Sequence, residues 1–183
     1  MAGFRSITPS ININTDSGQL RTELLNTFTR LDGQLSLVPF RLSSTAGPIG
    51  NSAGAQTTLE STTVSQGTLS KTESSILIFA CGKTAANANV KTIKLKFGTT
   101  ELFTTGAVAL NDVDWTLQAE IVRTSSTTQV AWIQFFATST LTQKITVATA
   151  SVDLAQNQTI TITGEGAGAS DVLLYYTKSL LLT

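Results

Sequence analysis

The chain has 183 residues with zero net charge, 41% hydrophobic and only 13% charged residues, and no histidine. That length suits one domain with an appendage. Ser and Thr, roughly a quarter of the chain, stand where charges usually make up about 25%. The charge balance leaves no electrostatic footprint for nucleic acid or an anionic membrane, and the missing histidine excludes Ser-His-Asp and Cys-His catalysis and His-based zinc sites.

Residues 1–15 are polar and irregular, with Pro9 and the alternation Ile11-Asn12-Ile13-Asn14. They read as an extended arm. The start Met1-Ala2-Gly3-Phe4-Arg5 has no apolar h-region, which predicts a chain made in a cytoplasm. Asp16-Ser17-Gly18-Gln19 pairs an N-cap acid with a Gln three residues on, a helix start. Leu20, Leu24, Phe28, Leu31 and Leu35 then recur at helical steps, the last four at heptad d-a-d-a positions. This stripe is the candidate oligomer interface. It either folds onto its own β-domain or packs against copies of itself. Pro39 ends the helix.

Small residues dominate from Ser44 to Gln56, so 1–42 is expected as arm and helix and 43–56 as a flexible linker. From Thr57 the chain reads as strand. Candidates are Thr58–Val64, Ser75–Cys81, Val90–Phe97, Thr100–Phe103, Asp114–Arg123, Gln129–Ala137, Lys144–Ala150, Gln158–Thr163 and Val172–Leu182. Ile93, Leu95 and Phe97 alternate with Thr92, Lys94 and Lys96, the period of a half-buried strand. Short strands at this spacing over 57–183 predict an all-β, jelly-roll-like antiparallel β-sandwich. In Val172–Leu182 both faces are apolar, so this strand is either central in the core or covered by a neighbouring subunit.

No motif states a chemistry. Gly164-Glu165-Gly166-Ala167-Gly168 lacks phosphate-loop spacing and reads as a mobile hairpin loop. Asn111-Asp112-Val113-Asp114 has too few oxygen ligands for a calcium loop and reads as a turn. Lys91, Lys94 and Lys96 read as a small basic patch on a solvated face. Trp115, Trp132, Phe135 and Phe136 either fill the core or line a sugar-binding cleft, with Trp132 and Phe136 sharing one face. Cys81, the single cysteine, reads as a buried small hydrophobe. The expectation is therefore no catalytic residue, no metal and no cofactor.

The segment Asn87-Ala88-Asn89 before Lys91-Thr92-Ile93-Lys94-Leu95-Lys96-Phe97-Gly98, then Trp115-x-Leu117-x-Ala119-x-Ile121-x-Arg123 and Thr128-Gln129, resembles a β-domain of tailed-bacteriophage and prophage virion proteins. Ile11–Leu35 likewise resembles the particle-attachment segment of short phage fibres. The resemblance implies a jelly-roll-like domain displayed on a virion as a homotrimer. The role implied is a non-enzymatic structural one, a head fibre or decoration (cement) protein or a short tail fibre, touching other virion proteins. Two other classes stay open: a receptor- or carbohydrate-binding module that takes a host glycan, and a glycan depolymerase, which needs two carboxylates about 5–9.5 Å apart.

Overall fold

The computed structural model describes residues 40–138 and 142–182, which fall within the compact unit Pro39–Thr183. Their regular elements are ten strands. In chain order these are β1 (Phe40–Gly50), β2 (Thr57–Val64), β3 (Ser75–Thr84), β4 (Lys91–Phe97), β5 (Thr100–Thr104), β6 (Asp114–Arg123), β7 (Gln129–Ala137), β8 (Thr142–Ala150), β9 (Gln158–Gly166) and β10 (Val172–Leu182). They form a six-stranded sheet, β1-β10-β3-β6-β7-β8, and a four-stranded sheet, β2-β9-β4-β5. Every pairing is antiparallel. The expected arm and helix, with Leu20, Leu24, Phe28, Leu31 and Leu35, lie outside the described residues.

Two layers form because each strand carries one apolar face that must be buried. From the six-stranded sheet come Ile76, Ile78, Leu117, Ala119, Ile121, Ala131, Ile133, Val172 and Leu174, and from the other Ile93, Leu95, Phe97, Leu102, Ile160 and Ile162, all buried. Trp115 stacks on Phe135 with ring centroids 6.3 Å apart, and Phe135 meets Phe103 at 5.5 Å. Trp115 and Phe135 thus belong to the core.

Residues 43–50 are strand where a linker was expected, and β1 pairs with β10 from Phe40↔Leu181 to Gly50↔Leu173. The cause lies in its edge position. An edge strand tolerates a proline that lacks an N–H and a register break. Pro48 falls within the shift between Ala46 and Ile49, and Gly47 there takes φ +115°. Those same residues look like a loop in the sequence.

The β10 strand sits between β1 and β3, one of its two expected settings. Its register slips at Tyr175, between Leu174↔Gly82 and Tyr176↔Cys81. The bulge turns Tyr175 and Tyr176 outward together, while Leu174 and Thr177 on either side remain buried.

Candidate functional site

Alternation along β6 and β7 places Leu117, Ala119, Ile121, Ile133 and Phe135 inward, which forces the intervening residues onto the outer face of the six-stranded sheet. Register then assembles this face into rows. One runs Leu180, Leu77, Glu120, Trp132, Val147; the next runs Lys178, Phe79, Gln118, Gln134, Ile145; a third joins Tyr176, Cys81, Thr116 and Phe136. Trp132 is 42% exposed, Ile145 54% and Val147 69%. Leu77, Phe136 and Tyr175 are exposed as well. Trp132 and Phe136 do share a face, and it is the outer one, so neither contributes to the core.

The face is apolar and close to neutral. Its one central carboxylate, Glu120, accepts a 2.7 Å hydrogen bond from Ser75 Oγ. Phe79 and Tyr176 pack tilted at 6.4 Å. Cys81 lies between Tyr176 and Thr116, partly buried, and burial pushes its thiol up from the usual range. At the margin Lys83 bonds Asp112 at 2.8 Å. That hydrogen bond raises the lysine pKa.

A second cluster, all polar, closes one end of the sandwich. Asp171, 1% exposed, accepts from Asn87 Nδ2 at 2.6 Å, from Gly168 N at 2.7 Å and from Asn89 Nδ2 at 3.0 Å. Burial alone pushes its carboxyl up. The donors from Asn87, Gly168 and Asn89, with the Lys91 charge, outweigh burial and hold it below the ordinary carboxylate value. Lys91 is fully buried and gives its three protons to Asn87 O, Asn87 Oδ1 and Asn89 O at 3.0, 2.8 and 3.0 Å. Asn51, 2% exposed, donates to Gly168 O at 3.1 Å and accepts from Val172 N at 2.8 Å. This knot ties three connections, after β1, before β4 and before β10.

The knot corrects two expectations. Lys91 belongs to no basic patch: it shares the inward parity of Ile93, Leu95 and Phe97, while Lys94 and Lys96 alternate outward. Gly164 and Gly166 are residues of β9 paired to β4, so the glycine run is not a hairpin tip. Gly166 is required by close approach, since a Cβ there would overlap the Asp171 side chain.

Asp112, at φ +52°, lies in the bend that leads into β6, and Asp114 is the first residue of that strand. Among the described residues no cluster of three or more His, Cys, Asp or Glu side chains is placed to hold a metal. The carboxylates are held singly: Glu101 by Lys94 at 3.0 Å, Asp153 by Ala155 N at 2.9 Å, and Glu60 by Ser43 and Thr62 hydroxyls at 3.1 and 3.0 Å. A shallow depression of about 680 Å³ lies between the loops carrying Leu69, Arg123 and Asp153. The Arg123 guanidinium is committed there to the Leu69 and Ser125 carbonyls.

No protein-family model matches the chain, and no curated protein does. A solved structure described as the CBM2 module of the evolved Dit of Lactobacillus casei BL23 phage J-1 is similar over 79% of this chain and 97% of that one, at 9% identity and a TM-score of 0.36. A likeness at that score carries no argument here.

Proposed function

We propose that the chain is a non-enzymatic structural protein of a bacteriophage particle, with a jelly-roll-like β-domain displayed on the virion by a self-associating chain. The observation that carries the self-association is the outer face of the six-stranded sheet. Leu77, Trp132, Phe136, Ile145 and Val147 stand there together in water, and contiguous apolar patches on a folded domain mark interaction surfaces. The phage assignment rests on the resemblance of Asn87–Phe136 and Ile11–Leu35. The expected unit is a homotrimer, as a head fibre, a decoration protein or a short tail fibre, in contact with other virion proteins. The carboxylates of Glu60, Glu101, Glu120 and Asp153, each engaged singly by lysine, hydroxyls or a backbone N–H, favour a structural role over glycan hydrolysis, which needs a facing pair.

Light scattering on the purified full chain tests this reading. The expected mass is about three times 19.3 kDa. A single-copy mass at every concentration overturns self-association.

A second reading has its own observation. Trp132 and Phe136 lie on one strand face about 13 Å apart by strand rise, with Gln134 between them and Gln118 opposite. Rings and amides on a face that is close to neutral suit a host glycan. Saturable glycan-array binding that Trp132→Ala abolishes would promote this reading above the first.

A further inference from the structure

The two sheets have four edge strands, and three are blunted in ways that prevent a further strand from adding. The β1 edge is broken by two register shifts and contains Pro48. The β2 edge has a shift between Thr58 and Glu60 and turns the Glu60 carboxylate inward. The β5 edge is five residues long, with a shift against β4. By contrast, β8 holds an unbroken nine-pair register with β7, from Ala137↔Thr142 to Gln129↔Ala150. It contains no proline, glycine or bulge, and five of its nine residues are β-branched. Its one charge is Lys144, whose ammonium bends away to the Thr104 carbonyl and lies 5.3 Å from the Phe103 ring centroid. That lysine guards the start of the strand, and among the described residues no further strand pairs along Ile145 to Ala150. Ile145 and Val147, the outward side chains of this stretch, stand 54% and 69% exposed.

We infer that β8 is a pairing edge and that its partner is β8 of a second copy, antiparallel about a two-fold axis through Thr146. This rests on the self-association proposed above and adds a second contact to it. The sequence of the strand fits itself in this register. Ile145 falls opposite the partner copy's Val147, and Lys144 opposite its Ala148, so apolar meets apolar and no like charges face each other. The two Lys144 side chains are offset by four residues, about 13 Å along the strand, beyond the roughly 8–10 Å screening length. The chain's zero net charge adds no long-range repulsion between copies. Directly opposed residues in an antiparallel pair point to the same side. The row Glu120, Trp132, Val147 therefore continues into the second copy's Ile145 and Gln134, and the two outer faces become one surface. A two-fold contact joins one copy to one other, so it raises the mass to at least twice that of whatever unit the rest of the chain assembles.

The test is light scattering of the full chain over a concentration series, beside the variant Thr146→Lys, which sets two lysines opposite each other on the axis and leaves the outer-face residues Ile145 and Val147 in place. The wild-type mass is expected to at least double as concentration rises, with the variant holding the undoubled mass throughout and the same near-ultraviolet circular dichroism. Amide hydrogen exchange on the wild type supplies a readout that needs no variant: outward-pointing β8 amides gain protection at the higher concentration. Failure to double, doubling shared by the variant, or β8 amides that exchange alike at both concentrations overturns the β8 contact. A constant three-copy mass would do so while leaving self-association intact, whereas a constant single-copy mass overturns both.

Discussion

Lys91 and Asp171 show how much one residue's parity decides. Counting back from Ile93 puts Lys91 on the inward face, and the alternation was present in the sequence. The compensation was not, because its partners come from Asn87, Asn89 and a carboxylate 80 positions away by numbering. A buried lysine without partners is too costly to place, so inward parity alone argued for a solvated patch instead. The knot also makes a pH statement. The Asp171 carboxyl lies below its ordinary value in the fold, so the native state binds fewer protons than the unfolded chain between those two values. Its stabilisation is fully present above the unfolded carboxylate pKa of about 3.9 and is lost as pH falls through the lower folded value. Replacing Asp171 by Ala strips three charge-assisted bonds of about 1.5–3 kcal/mol each and leaves the half-buried donors of Asn87, Asn89 and Gly168 without this acceptor. Chemical denaturation at neutral pH should register a loss of at least about 2 kcal/mol, and the acid-side slope near pH 3–4 should flatten. Undiminished stability in the variant would show that the knot is not stabilising.

At the level of elements, the nine strands anticipated from alternation are all present, because each has an apolar face at period two and polar turns around it. The first strand escaped notice since Gly47 and Pro48 are ordinary linker residues and only an edge position lets a strand hold them. The exposure of Trp132 and Phe136 was equally beyond reach: the pattern fixes that they share a face, but which face is inward depends on the Leu117 and Ile133 side of the sheet. Where elements meet, tolerances are small. Gly82 lies opposite Trp115, and a Cβ there would come within 2.6 Å of the indole and collide with the Leu173 carbonyl. Gly82→Ala should therefore lower the unfolding free energy by about 1–3 kcal/mol, the usual cost of overpacking, with a matching fall in thermal midpoint. A neutral result would mean that β10 can shift at its bulge to make room.

For the whole molecule, sheet order was the least legible property. Chain order suggests hairpins, and β4-β5 and β6-β7-β8 are such neighbours, yet β10 inserts between β1 and β3 and β9 between β2 and β4. Those choices depend on long-range complementarity that no local pattern encodes. The apolar double face of β10 pointed to a strand in need of cover on both sides. One cover is the sandwich core; the outer one is the surface proposed to associate.

That arrangement of β1 beside β10 has a mechanical side. Phe40 pairs with Leu181 at one pole, and Gly50 pairs with Leu173 at the other, about 30 Å away by strand rise. The incoming and outgoing strands thus meet at a single pole, and the Asn51, Lys91 and Asp171 knot sits at the far one. A load applied through residues 40 and 182 would peel β1 from β10 one rung at a time instead of shearing all rungs together. Under such a load the domain yields first at the end that holds residues 40 and 182, and the locked end is the last part to feel the pull.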